Sequence, residues 1–170
     1  MAHPDPLRLR ILKNLCAALE QITIANGYRH DLNGRVFRGR DVFGENDPMP
    51  MVCVLEHPIP LEQIPPPRDS TASSGTWELV IQGFLDNDRQ HPTDPAHYLM
   101  ADVKKRLVVE RRKSLRMQAS EGIFALGNAV TGLRIGAGVV RPPDDLSAAA
   151  YFWLTISLDV VEDLDDPYGD

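Results

Sequence analysis

The chain has 170 residues, 43% hydrophobic and 25% charged, enough for one soluble domain with a real core; no apolar run approaches the ~18–20 residues that span a bilayer. A net charge of −6 and a pI of about 5.3 run against sequence-independent binding to nucleic acid, which needs a positive surface to neutralise phosphates. Met1-Ala2-His3-Pro4-Asp5-Pro6 lacks a basic start followed by an apolar stretch, so no secretory signal is expected and the protein is expected to act in a cytoplasm, with Cys16 and Cys53 as buried free thiols.

Asp5-Pro6 opens the first element, Asp suiting an N-cap and Pro the first helical position. Leu12, Leu15, Leu19 and Ile22 recur at helical spacing, Ile11 and Cys16 widen the stripe, and Asn26-Gly27 supplies a stop, which predicts an amphipathic helix over 6–25. Asn33-Gly34 signals a tight turn, and Val36-Phe37-Arg38-Gly39-Arg40 a strand with Arg38 and Arg40 on one face. Gly44, Pro48 and Pro50 make 44–50 a loop. Residues 51–57 predict a strand that is apolar on both sides at its start, and hence central. Residues 58–75 hold five prolines and then Ser70-Thr71-Ala72-Ser73-Ser74-Gly75, and read as one long loop. Loops longer than about 12–15 residues are usually functional or disordered. Ile59, Leu61 and Ile64 within it have no obvious core to join.

Trp77, Leu79, Ile81 and Leu85 alternate with Glu78, Val80, Gln82 and Phe84 as a third strand, with Gly83 as a possible bulge. Asp94-Pro95 repeats the opening grammar of the first helix. Leu99, Val103 and Leu107, with Ala96 and Met100, form the inner stripe of a second helix, capped by Asp94 and closed by Arg111-Arg112-Lys113, which complement its dipole. A short helical turn over 121–126 ends at Gly127-Asn128. Leu133, Ile135, Ala137 and Val139 alternate with Arg134, Gly136, Gly138 and Val140 as a fourth strand. Its glycines mark a twist, a bulge or a close backbone approach. In the fifth strand Phe152, Leu154, Ile156, Leu158 and Val160 oppose Tyr151, Trp153, Thr155, Ser157 and Asp159. The order α-β-β-β-α-β-β predicts an α+β fold: a mainly antiparallel sheet of about five strands flanked by two helices. It forms a single domain over 1–161, followed by an acidic tail, 162–170, expected to be solvated or frayed.

Chemistry is sparse. His91 and His97 flank Asp94 without the tight pairing of structural zinc sites. Cys53 and His57, four apart on a strand, lie about 13 Å apart, too far for a nucleophile and its base. Gly132, Gly136 and Gly138 lack the Lys-Ser/Thr and the helix of a phosphate loop. The carboxylate pairs Asp86/Asp88, Asp144/Asp145 and Asp165/Asp166 sit among turn residues. The expectation is a non-enzyme with no catalytic residue, no metal and no cofactor. Surface character is the remaining signal. Arg38 and Arg40 could meet an acidic partner or simply face solvent. Tyr151 and Trp153 lie opposite the apolar stripe of the last strand, which suits either an interface or an edge strand partly covered by a loop. Together with Ile59, Leu61 and Ile64 they are the candidate interface residues.

Several stretches resemble the tail-terminator (tail-completion) proteins of long-tailed bacteriophages. They are Ile24-Ala25-Asn26-Gly27-Tyr28, Val36-Phe37-Arg38-Gly39-Arg40, Pro50-Met51-Val52-Cys53-Val54-Leu55-Glu56, and Ile156-Ser157-Leu158-Asp159-Val160 with its acidic Asp-Pro-Tyr tail. The likeness spans residues 7–168. It implies a structural virion protein, assembled in the host cytoplasm, that forms a ring, typically a hexamer. Such a ring caps the tail tube, ends tube polymerisation and offers the surface to which the head attaches. The implied partners are further copies of the chain, the tail tube protein and the head-tail connector, with DNA passing through the lumen without specific binding and no membrane involved. A head-tail joining protein is the alternative in the same class. A small nucleic-acid- or ligand-binding module, with Trp77, Phe84, Tyr151 and Trp153 stacking bases, is the alternative outside it.

Overall fold

The computed structural model describes residues 4–40, 42–44, 46–57, 69–114, 122–145 and 147–169, and the backbone of 63–64. Its elements are α1 (Leu7–Glu20), β1 (Val36–Arg38), β2 (Met51–Glu56), β3 (Gln63–Ile64), β4 (Ala72–Leu85), α2 (Asp94–Lys113), β5 (Val130–Arg141) and β6 (Ala150–Asp163), with 3-10 turns at Ile24–Asn26 and Ile123–Ala125. The sheet order is β1-β2-β4-β6-β5, and the short β3 pairs with β4. Every pairing is antiparallel except that of β1 with β2. The α+β class and the order of elements are as the sequence predicts, with β3 added.

One face of the sheet carries both helices. Phe152, Leu154, Ile156, Leu158 and Val160 of β6 and Trp77, Leu79 and Ile81 of β4 project into a core shared with Ile11, Leu15 and Leu19 of α1 and Leu99, Val103 and Leu107 of α2. Each fully buried Leu or Ile here contributes roughly 1.5–3 kcal/mol relative to exposure. Both cysteines are buried. Burial pushes the Cys16 thiol up to about 11 and also raises that of Cys53, so both stay protonated and inert near neutrality.

Several local expectations shift for identifiable reasons. Pro6, in extended geometry, is itself the N-cap of α1, and Asp5 pairs with Lys13 instead. The helix stops at Glu20, with Gln21 as its C-cap, and Ile22 N donates to Leu19 O. Thr23 is extended and accepts a hydrogen bond from Asn26 N, and Gly27 turns the chain at φ 80°. In α2 the cap position falls to Thr93, and Asp94 lies in the first turn, where its charge suits the helix dipole. Residues 58–75 are not one loop: β3 and the start of β4 lie within them, because β6 runs on to Asp163 and pairs with Ala72. Residues 58–62 and 65–68 lie outside the described residues. The segment after β6 is tied back rather than loose: Pro167 O accepts from Leu7 N at 2.9 Å, and Arg10 donates to Tyr168 O and Gly169 O.

The glycines of β5 do mark irregularities, with register shifts between Val130 and Gly132 and between Ile135 and Gly138. The second shift turns Val140 toward the core and leaves Val139 about half exposed, the reverse of the simple alternation. Gly83 is not a bulge. It pairs regularly with Val52 and Phe152, and a Cβ there would overlap the Phe152 ring. Gly83→Ala should therefore destabilise the fold by about 1–3 kcal/mol in denaturant unfolding, as overpacking does. Gly44→Ala, with open space around it, should stay within about 0.5 kcal/mol of wild type. An aromatic disulfide reagent at pH 8 should label neither cysteine in the native chain and both in denaturant; fast native labelling would contradict the buried placement.

Candidate functional site: an aromatic cleft under a crossover

Parallel strands cannot be joined by a tight hairpin and need a crossover of about a dozen residues. β1 and β2 run parallel, Val36 opposite Val52 and Arg38 opposite Val54, so residues 39–50 must travel back along the sheet. Gly39, at φ 61°, starts the return and donates to Val54 O at 3.0 Å. The returning segment lies on the face opposite the helices and is pinned by short polar contacts. Arg40 Nη2 donates to both carboxylate oxygens of Asp47 (2.9 and 3.0 Å), Gly44 N donates to Asp47 Oδ2 at 2.7 Å, and Arg35 Nη1 donates to Met49 O at 2.8 Å. The Arg40 guanidinium also lies over the rings of Phe37 (4.8 Å) and Phe43 (5.3 Å).

Beneath this flap the sheet is aromatic. Register sets Met51, Phe84 and Tyr151 abreast on β2, β4 and β6, the closest neighbours a sheet allows. Phe43 reaches down from the flap to a centroid distance of 4.6 Å from Phe84. Phe84 and Tyr151 are 6.2 Å apart, and Tyr151 and Trp153 meet edge to face at 5.4 Å. The Tyr151 hydroxyl donates to Asp144 Oδ2 at 2.7 Å, and this bond, followed by burial, raises its pKa above the ordinary tyrosine value. Between flap and sheet opens a cleft of about 730 Å³, walled by Phe43, Met49, Phe84, Tyr151 and Trp153, with Asp47 and Asp86 also lining it. That volume suits a small ligand or a few residues of peptide. The walls offer apolar surface and flat ring faces, with the Asp47 and Asp86 carboxyls beside them.

Of the residues singled out from the sequence, the structure brings Arg40, Tyr151 and Trp153 together here. Tyr151 is buried, with Phe43 and Met49 packed in the same cluster, and Trp153 is half-buried; β6 is an interior strand, not the edge strand of the alternative. Arg38 and Arg40 do not share a face. β1 ends at Arg38 and Gly39 turns the chain, so Arg40 joins Phe37 on the flap side. Arg38, two residues from the core-facing Val36, stands exposed on the helix side, where its charge acts on Cys16. Ile59 and Leu61 lie outside the described residues. Ile64 lies in β3, its backbone paired with Ser74. Trp77 faces the helices, so the four aromatic residues of the base-stacking alternative do not form one platform.

Sequence reasoning missed Phe43, Asp47 and Met49. Their one signal was two large apolar side chains in a Gly/Pro segment otherwise read as plain loop. It also missed Asp102, buried in α2, which accepts from Arg29 N (3.0 Å), His30 N (3.1 Å) and His30 Nδ1 (2.8 Å). Among the described residues no three His, Cys, Asp or Glu side chains are grouped to hold a metal ion. No protein-family profile matches the sequence, and no curated protein matches it.

The Asp47 carboxyl is held below its usual pKa, first by the Gly44 N–H and also by Arg40. A carboxylate depressed in the folded state lends its stabilisation above its unfolded pKa and loses it as pH falls through the folded value. The flap should therefore be fully anchored at neutral pH and loosen below about pH 4. Acrylamide quenching of Trp153 in a Trp77→Phe background should rise over that acid range. Asp47→Asn should shift the rise to neutral pH, and equal quenching in both proteins throughout would show that Asp47 does not hold the flap.

Proposed function

We propose that this chain is a structural virion protein of a long-tailed bacteriophage, a tail terminator. In this reading it assembles as a ring, caps the tail tube, stops further addition of tube protein and presents the surface for head attachment. The observation that carries the reading is the asymmetry of the sheet. One face is sealed by two helices, while the other keeps a half-open aromatic cleft, and β5 ends the sheet as a long outer strand with no second strand partner among the described residues. An outer strand is a hazard on a free monomer and is covered by a neighbour in an assembly. The resemblance of residues 7–168 to tail terminators supports the same assignment. Net charge of −6 also fits a lumen through which DNA slides, because like charges repel.

Light scattering and electron microscopy of the purified chain should show a closed ring of about six subunits, in exchange with monomer, as cyclic symmetry allows. Phage assembled without the protein should make tails of uncontrolled length that fail to join heads. Normal tails that join heads would exclude it. If the ring instead bound the portal side and left tube length unchanged, the head-tail joining reading would replace it.

A further inference from the structure

The fold twice sets a guanidinium between a ring and a carboxylate. Arg40 lies over Phe37 and Phe43 and is fixed by Asp47. Arg8 lies over Trp77 and meets Glu162. Ring faces attract cations through their quadrupole, and the carboxylate adds charge and direction. The cleft presents ring and carboxylate a third time, without the cation. Its rings are Phe43, Phe84, Tyr151 and Trp153, and the charged groups lining it are Asp47 and Asp86; no Lys, Arg or His is among its described lining residues. Arg40 balances Asp47, and Arg141 offsets Asp144 at the Tyr151 hydroxyl. Asp86 is exposed, and no hydrogen bond or ion pair of the described residues uses its carboxyl. The unbalanced charge of the cleft is therefore negative.

Spacing sets the size of the occupant. Asp86 follows β4 directly, and Trp153 is opposite Gln82, four residues back along that strand. At the rise of a strand their levels lie about 13 Å apart, more than one small cation spans. In an extended peptide, residues four apart share a face and stand at the same separation. Apolar ground continues past the cleft at both sides: Val139, beside Trp153 on β5, is 49% exposed, and Val42 on the flap 75%.

We propose that the cleft binds an extended basic segment of a partner protein. An arginine of that segment pairs with Asp86 against the aromatic wall, and an aliphatic residue four positions away covers Trp153 and Val139. Arginine suits the site better than lysine because its planar fork stacks and takes a carboxylate at once. The proposal goes beyond the ring reading and needs only the cleft.

The test uses the full chain and two dye-labelled pentapeptides, Arg-Thr-Ser-Thr-Leu-amide and its reverse, Leu-Thr-Ser-Thr-Arg-amide, followed by fluorescence anisotropy. One of the two should bind saturably, and its citrulline analogue, of equal shape without the charge, at least about tenfold more weakly. Asp86→Asn should weaken binding about fivefold at low salt, and high salt should erase that difference. Trp153→Ala, checked by circular dichroism, should weaken it at least about tenfold, as loss of an aromatic anchor does. Asp69→Asn, near the far end of β4, should leave it unchanged. Failure of both peptides to bind, or equal binding of the citrulline form, would overturn the proposal. Tetramethylammonium displacing the peptide at equal concentration would overturn the segment in favour of a small organic cation. Self-association lost alike in Arg111→Ser/Arg112→Ser and in Trp153→Ala would overturn the outside partner in favour of a second copy.

Discussion

The parallel pairing of β1 with β2 is the constraint on which the rest of the site depends. All other pairings are antiparallel. The β1–β2 pairing alone obliges the chain to retrace the length of a strand, and the helix-covered face has no room for it. Residues 39–50 therefore cross the other face, and a surface that would have been a flat, wet array becomes a roofed one. Phe43 is the point of contact between roof and floor, at 4.6 Å from Phe84. Arg40 serves two ends, its charge fixed on Asp47 and its plane laid over two rings. Such a guanidinium satisfies its hydrogen bonds and covers apolar surface at once, which a lysine does not do equally well.

What holds β1 in place lies on the other side of the sheet. α2 buries two carboxylates, and a buried charge is tolerated only when partnered. Glu110 meets Arg106 at 2.5 Å and Lys113 at 2.7 Å, within its own helix. Asp102 instead collects its donors from residues 29 and 30, in the segment that leads from α1 into β1. Arg29 over the Tyr98 ring and Lys105 over the Tyr28 ring add to the same seam. The path is continuous: a carboxylate in α2 fixes the approach to β1, β1 fixes the crossover, and the crossover roofs the cleft.

Helices and strands were legible because their periods are local. The inner stripe of α2 and the strict alternation of β6 need no partner to be read. The flap was not legible because strand direction is a property of two segments together, and nothing in Val36–Arg38 says whether β2 will run with it or against it. Ala72–Gly75 was hidden for a similar reason: small and polar, it is a strand because Val160–Asp163 lies beside it, not because of its own pattern. Gly83 interrupts an apolar alternation only on paper, since the Phe152 ring fills the missing side chain from the next strand. Of the site, Tyr151 and Trp153 announced themselves as aromatic residues on a polar face. Phe84 was placed on the correct face, but the residue that meets it, Phe43, lies more than forty positions away.

The bond from Leu7 N to Pro167 O, with Arg10 clasping Tyr168 and Gly169 and Arg8 meeting Glu162 at 3.2 Å, joins the first helical turn to the residues after the last strand. Leu7 opens α1, whose inner face is core, and Glu162 closes β6, whose stripe is the same core. The beginning and the end of the described chain thus open and close as one cooperative unit, so that amide exchange at 7–10 and at 164–169 reports a single event. Loosening at either end is felt first in the packing of α1 over the helix-covered face, and reaches the roofed face only through β1.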